Sequence, residues 1–135
     1  MKNDLDSKLQ VLLQTYAHAR FEWGRFDCCQ FVMVAALALA GRRLDVPVYR
    51  SERGAARVLR ALGGYDGAVA ALGGTPLPAP AMAQRGDIVL VDAPGYAGGA
   101  LAVCGGSVAW AAGPGGLAQA PMSTWRKAWR LECLR

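Results

Sequence analysis

The chain has 135 residues, 53% of them apolar, and a net charge of +5 carried mainly by arginine. That length suits one domain burying about two-thirds of its unfolded surface, and the apolar fraction excludes a disordered chain. No apolar run reaches the roughly 18 residues of a membrane-spanning helix, and a pI near 9.3 leaves nucleic acid, peptidoglycan or an acidic protein as charge-compatible partners.

The opening Met1-Lys2-Asn3-Asp4-Leu5-Asp6 lacks the blocks of a secretory signal, which predicts a chain made and kept in the cytoplasm or assembled there. Over 4–16, Leu5, Leu9, Leu12, Leu13 and Tyr16 share one face at helical spacing, so a first helix packs on the domain. If it runs on to His18, the only histidine, that ring points away from the stripe. Residues 21–31 read as a loop feeding a second helix. Gly24 breaks regular structure, and Asp27 is a good N-cap. Cys28 then takes the first helical position, where the dipole favours a thiolate. Asp27 beside it works the other way. The run 31–40 is apolar on every face, which predicts a helix buried all round. A cysteine opening such a helix has the geometry of a thiol nucleophile. Unreactive cysteines are also among the most buried of residues, and both readings stay open here.

Gly41 ends this helix, and 42–50 is a connection. Ser51 caps a third helix through Leu62, stopped by Gly63-Gly64. Ala55, Val58, Leu59 and Leu62 form its apolar face. Arg50, Arg53, Arg57 and Arg60 form a stripe opposite, either a solvated face or a docking surface. A short helix is expected over 68–72. Residues 75–80, with three prolines, read as an extended surface linker.

Beyond them the apolar pattern shifts to strands, at 87–91, 100–104, 107–111 and 117–120, with Gly105-Gly106 as a hairpin turn. Ser123 is expected to cap one helical turn through Lys127, and 129–133 to form a last strand. Trp110, Trp125 and Trp129 are expected to cover the sheet. The class is α+β: one domain over 1–135, with an N-terminal helix in 1–19, a helical part in 20–74 and a curled antiparallel sheet in 84–135. Cys28, Cys29, Cys104 and Cys133 are too scattered for a zinc knuckle, and adjacent Cys28 and Cys29 make a poor disulfide. No metal or cofactor is expected. Basic and aromatic residues are not interleaved, which ranks nucleic acid last among partners.

Trp23-Gly24, Asp27-Cys28 and Phe31-Val32, followed by Gly86-Asp87 leading into Ile88-Val89-Leu90-Val91, resemble the signature of the NlpC/P60 class of papain-like cysteine peptidases. With Gly116-Leu117 and Ala128-Trp129-Arg130, the ordered set over 20–131 looks most similar to a small phage branch of that class, encoded among tail genes. The resemblance implies an NlpC/P60-type fold with Cys28 at the nucleophile position. In that class the base is a histidine at the start of the strand after the Gly-Asp strand. Here Gly99 or Ala100 holds that place, and neither can move a proton. The next strand, which would supply the third group, offers Ser107 and Trp110. His18 remains as a low-ranking substitute base.

The resemblance and the missing base together lead to the expectation of a degenerate, inactive domain. It would serve as a structural component of a phage or prophage tail tip, within the virion, beside hub and distal-tail proteins, with the Arg50 to Arg60 stripe as contact surface. The alternative is an active thiol hydrolase that cuts peptidoglycan stem peptides during entry, with Cys28 as nucleophile. A binding module gripping a peptide or acyl group in a vestigial cleft comes third. Trp23 either walls such a cleft or plugs the core edge. Arg25 either meets a carboxylate there or is solvated.

Overall fold

The apolar stripe of the first helix decides where that helix lies. In the computed structural model, which describes residues 2–93 and 98–132, α1 (Lys2–Tyr16) sinks Leu9 and Leu12 into the core. Leu5, Leu13 and Tyr16 pack at the margin. Helix α2 (Cys28–Ala40) starts where Asp27 accepts the Gln30 N–H and stops at Gly41, whose φ of 66° turns the chain away. It lies chiefly across the sheet and buries Phe31, Val32, Ala35, Ala36, Leu39 and Ala40. Leu37, however, is 52% exposed, and Ala38 is also open. The expectation of burial all round is therefore corrected. The sheet covers one side of α2 and α1 a second, while the face carrying Leu37 and Ala38 stays open.

Helix α3 (Glu52–Ala61) carries the expected Ser51 cap and buries Ala55 and Leu59. Helix α4 (Gly64–Ala71) begins earlier than the 68–72 expected. Gly63 and Gly64, at φ 94° and 77°, turn the chain and restart a helix at once rather than ending the helical part.

Six strands come next: β1 (Thr75–Pro76), β2 (Ile88–Val91), β3 (Ala100–Cys104), β4 (Val108–Gly113), β5 (Gly116–Pro121) and β6 (Trp125–Arg130). Their spatial order is β1-β6-β2-β3-β4-β5, every neighbour antiparallel. β2 to β5 form the expected meander, and β6 returns along the free side of β2. Two expectations are corrected here. Thr75–Pro76 is not linker but an edge strand paired with Trp129 and Arg130, a place where proline's missing N–H does no harm. The helical turn expected over 123–127 shrinks to a 3-10 turn at Met122–Thr124, and the last strand opens at Trp125. Burial decides this, because Trp125, paired with Val91 across a bulge, is buried along with Ala128 and Trp129. Cys133 lies outside the described residues.

All four residues of β2 are buried because both faces of the sheet are covered. Ile88 and Leu90 face the helices. Val89 and Val91 face a second cluster, where the curled sheet closes on Ala102, Cys104, Ala109, Ala111, Trp125 and Ala128. Cys28 touches both clusters, which places the head of α2 at the seam between them.

Candidate functional site

The loop before α2 is held by one carboxylate. Asp27 is fully buried, and its Oδ2 accepts the Gly24 N–H at 2.8 Å and the Tyr49 hydroxyl at 2.8 Å, while Oδ1 accepts the Gln30 N–H at 2.9 Å. Gly24 is required there. Its φ is 86°, and a Cβ would stand 1.9 Å from the Tyr49 carbonyl oxygen. Glu22 and Phe26 exchange backbone bonds of 3.0 and 2.9 Å, closing the loop beneath Trp23. The chain thus delivers Cys28 to one place, at the first turn of α2.

That place is the floor of a hollow of about 540 Å³. Phe21 and Trp23, edge to face at 4.9 Å between ring centres, wall it together with Glu52 and Tyr65. Gly99, Ala100, Ala112 and Gln119 line the sheet side. Tyr65 donates to the Gly99 carbonyl at 2.7 Å, and Arg126 donates to the Gly98 carbonyl and pairs with Asp92 at 3.4 Å. Helix α4 and strand β6 thereby anchor the rim. Removing the Tyr65 hydroxyl (Tyr65→Phe) is expected to lower stability by about 1 kcal/mol. Thermal unfolding measures it, and an unchanged midpoint would mean the rim is held without this bond.

Cys28 is not poised as a thiolate. Its Sγ donates to the Ala112 carbonyl at 3.4 Å, a bond only the protonated thiol can make. Burial pushes its pKa up from 9.0 to about 11, with the adjacent Asp27 charge adding to the rise. The expected dipole effect is thus outweighed. A half-exposed helix terminus worth at most a kcal/mol or so loses to desolvation and a neighbouring anion. Tyr65 and Cys104 are also pushed up, mainly by burial.

Gly99 and Ala100, where the resemblance puts a base, line the same hollow as Cys28, and neither titrates. His18 lies elsewhere. It is exposed just beyond α1, in a separate hollow with Gln10, Gln14, Arg85 and Trp110, beside the point where the Ala17 carbonyl accepts the Leu117 N–H at 3.1 Å. Ser107 is exposed and does not line the cleft. Arg25 points outward and pairs with Glu22 at 3.1 Å. Trp23 walls the cleft. Glu52, Tyr65 and Gln119 were not legible as site residues, because three separate elements bring them together.

Gly86 and Asp87 form a second knot, away from the cleft. The buried Asp87 carboxylate accepts Arg130 Nε at 3.0 Å, the Leu131 N–H at 3.0 Å and the Gln84 N–H at 2.8 Å, tying the start of β2 to the end of β6. Arg50, Arg53, Arg57 and Arg60 are all exposed. Among the described residues no helix is long and apolar enough to cross a membrane, and no three His, Cys, Asp or Glu side chains cluster to hold a metal.

One protein family, described as Domain of unknown function (DUF6950), matches residues 1–131. None of the curated proteins matches the chain.

Proposed function

Because the chain belongs to the DUF6950 family, whose description carries no activity, we propose its role from the cleft: a degenerate NlpC/P60-type domain kept for its shape, serving as a structural component of a phage or prophage tail tip. The observation that carries this reading is the state of Cys28. A thiol hydrolase needs a thiolate and a base within reach. Cys28 instead keeps its proton on the Ala112 carbonyl with a pKa of about 11, in the same hollow as Gly99 and Ala100. The only imidazole lines a different hollow. The tail assignment rests on the ordered motifs from Trp23 to Arg130 and their likeness to tail-encoded domains.

Cys28→Ser tests it, since serine can still donate to Ala112. Expected are particles that carry the variant chain in normal amount and infect as the parent does. Particles that assemble with the variant but lose infectivity, together with stem-peptide cleavage by the parent chain alone, would replace this reading with the hydrolase. Particles without the chain would remove the tail assignment.

A further inference from the structure

Arg25, Arg43, Arg85, Arg126 and Arg130 each pair with a carboxylate. Among the described residues, Arg20, Arg42, Arg50, Arg53, Arg57 and Arg60 are in no ion pair, and of these only the last four follow one another along a single helix and its cap. All four are exposed, and among the described residues none is in an ion pair or a side-chain hydrogen bond. They form one row, from just ahead of the Ser51 cap to the last turn of α3. Neighbours three and four apart on a helix repel when alike in charge. Arg53, in the first turn, also opposes the helix dipole. Arg60, in the last turn, suits the dipole, so the cost to the helix falls at the Arg53 to Arg57 end of the row.

A side chain of the opposite character comes just ahead of the row in the chain. In the connection between α2 and α3, Tyr49 is buried while Val48 and Arg50 on either side of it are exposed. Val48 is 86% exposed, more than any other large apolar side chain among the described residues. An exposed valine at one end of a line of guanidinium groups is poorly matched to a phosphate backbone, and the row holds no aromatic ring for stacking on bases. It suits a protein face, where arginines meet carboxylates around an apolar contact.

We infer that Val48, Arg50, Arg53, Arg57 and Arg60 form a docking surface for an acidic protein face with an apolar notch at one end. This deepens the assembly reading above and rests on it only in taking the partner to be a neighbouring protein. Cys28 plays no part, so the thiol tests and this one fail separately.

The test uses the full chain and three probes at physiological salt: a Glu- and Leu-rich amphipathic helical peptide, a DNA duplex, and phosphatidylserine vesicles. Arg53→Glu/Arg57→Glu is compared with Lys8→Glu/Arg20→Glu, which changes net charge equally through exposed residues outside the row. The row variant is expected to lose at least about tenfold in peptide affinity, and the control less than about threefold. Val48→Ser should weaken the peptide alone. In the row variant the two new carboxylates repel each other as the arginines did, but each gains an arginine neighbour in Arg50 or Arg60, so its melting temperature should stay close to the parent's, which separates lost binding from lost folding. Equal losses in both double variants would overturn the surface. Tighter binding of the parent to duplex or vesicles, lost with the row, would overturn the protein partner.

Discussion

At pH 7, Cys28 in the folded chain is expected to react with iodoacetamide roughly 100-fold more slowly than an ordinary cysteine, whose thiol titrates near 9.0. Only the thiolate attacks, and a pKa of about 11 leaves very little of it at neutral pH. The rate should climb about tenfold per pH unit and level off near pH 11. Mass spectrometry with fragment spectra that separate Cys28 from Cys29 reads the profile. A midpoint at or below the ordinary value would mean an activated thiol, and with it the hydrolase.

The same shift has a thermodynamic face. The folded chain keeps the Cys28 proton to higher pH than the unfolded chain does. Stability from this group is thus complete below about pH 9, where both states are protonated. It falls as pH rises toward about 11, where only the unfolded chain has lost its proton. The span corresponds to about 3 kcal/mol. Buried tyrosines titrate in the same direction, so the difference between the parent and Cys28→Ser isolates the cysteine's share. Parallel stability curves for the two above pH 9 would refute it.

Asp27→Ala is expected to lower stability by about 3 to 4 kcal/mol, or a melting temperature drop of about 10 °C for a domain this size. The lost cap alone accounts for about 1 kcal/mol. The Tyr49 hydroxyl and the Gly24 N–H, each left without its acceptor, account for the remainder of about 2 to 3 kcal/mol, at about 1 to 1.5 kcal/mol apiece, the low end of the cost of an unsatisfied buried group. Asp27→Asn keeps one acceptor oxygen and should lose about half as much. Combined with Tyr49→Phe, Asp27→Ala should show coupling of about 1 kcal/mol or more, since the two share one bond. Additive losses would show that the carboxylate acts through the cap alone. The Cys28 alkylation midpoint should also move down in Asp27→Ala, because a nearby negative charge has gone.

Local signals carried much of the fold. The stripe on α1, the Asp27 and Ser51 caps, the Gly41 stop and the short apolar run of β2 each act within a few residues, where sequence spacing and physical neighbours coincide. The misses share a cause. The strand at Trp125 and the edge pair at Thr75–Pro76 exist because distant segments meet them, Val91 for the first and Trp129 to Arg130 for the second. A turn propensity at Ser123 cannot outweigh burial of an indole that only the assembled sheet can cover.

By itself the sequence determined an α+β chain and a cysteine at a helix head. Tertiary structure alone decided what that cysteine is. The Ala112 carbonyl lies 84 residues away, and the two apolar clusters packed against Cys28, which keep water from the sulfur, draw on segments from all along the chain. The dipole at a helix start is a local property, whereas burial and a donor's partner belong to the packed molecule. Here the packed molecule prevails, because removing water from a thiolate outweighs half a charge at the end of a helix.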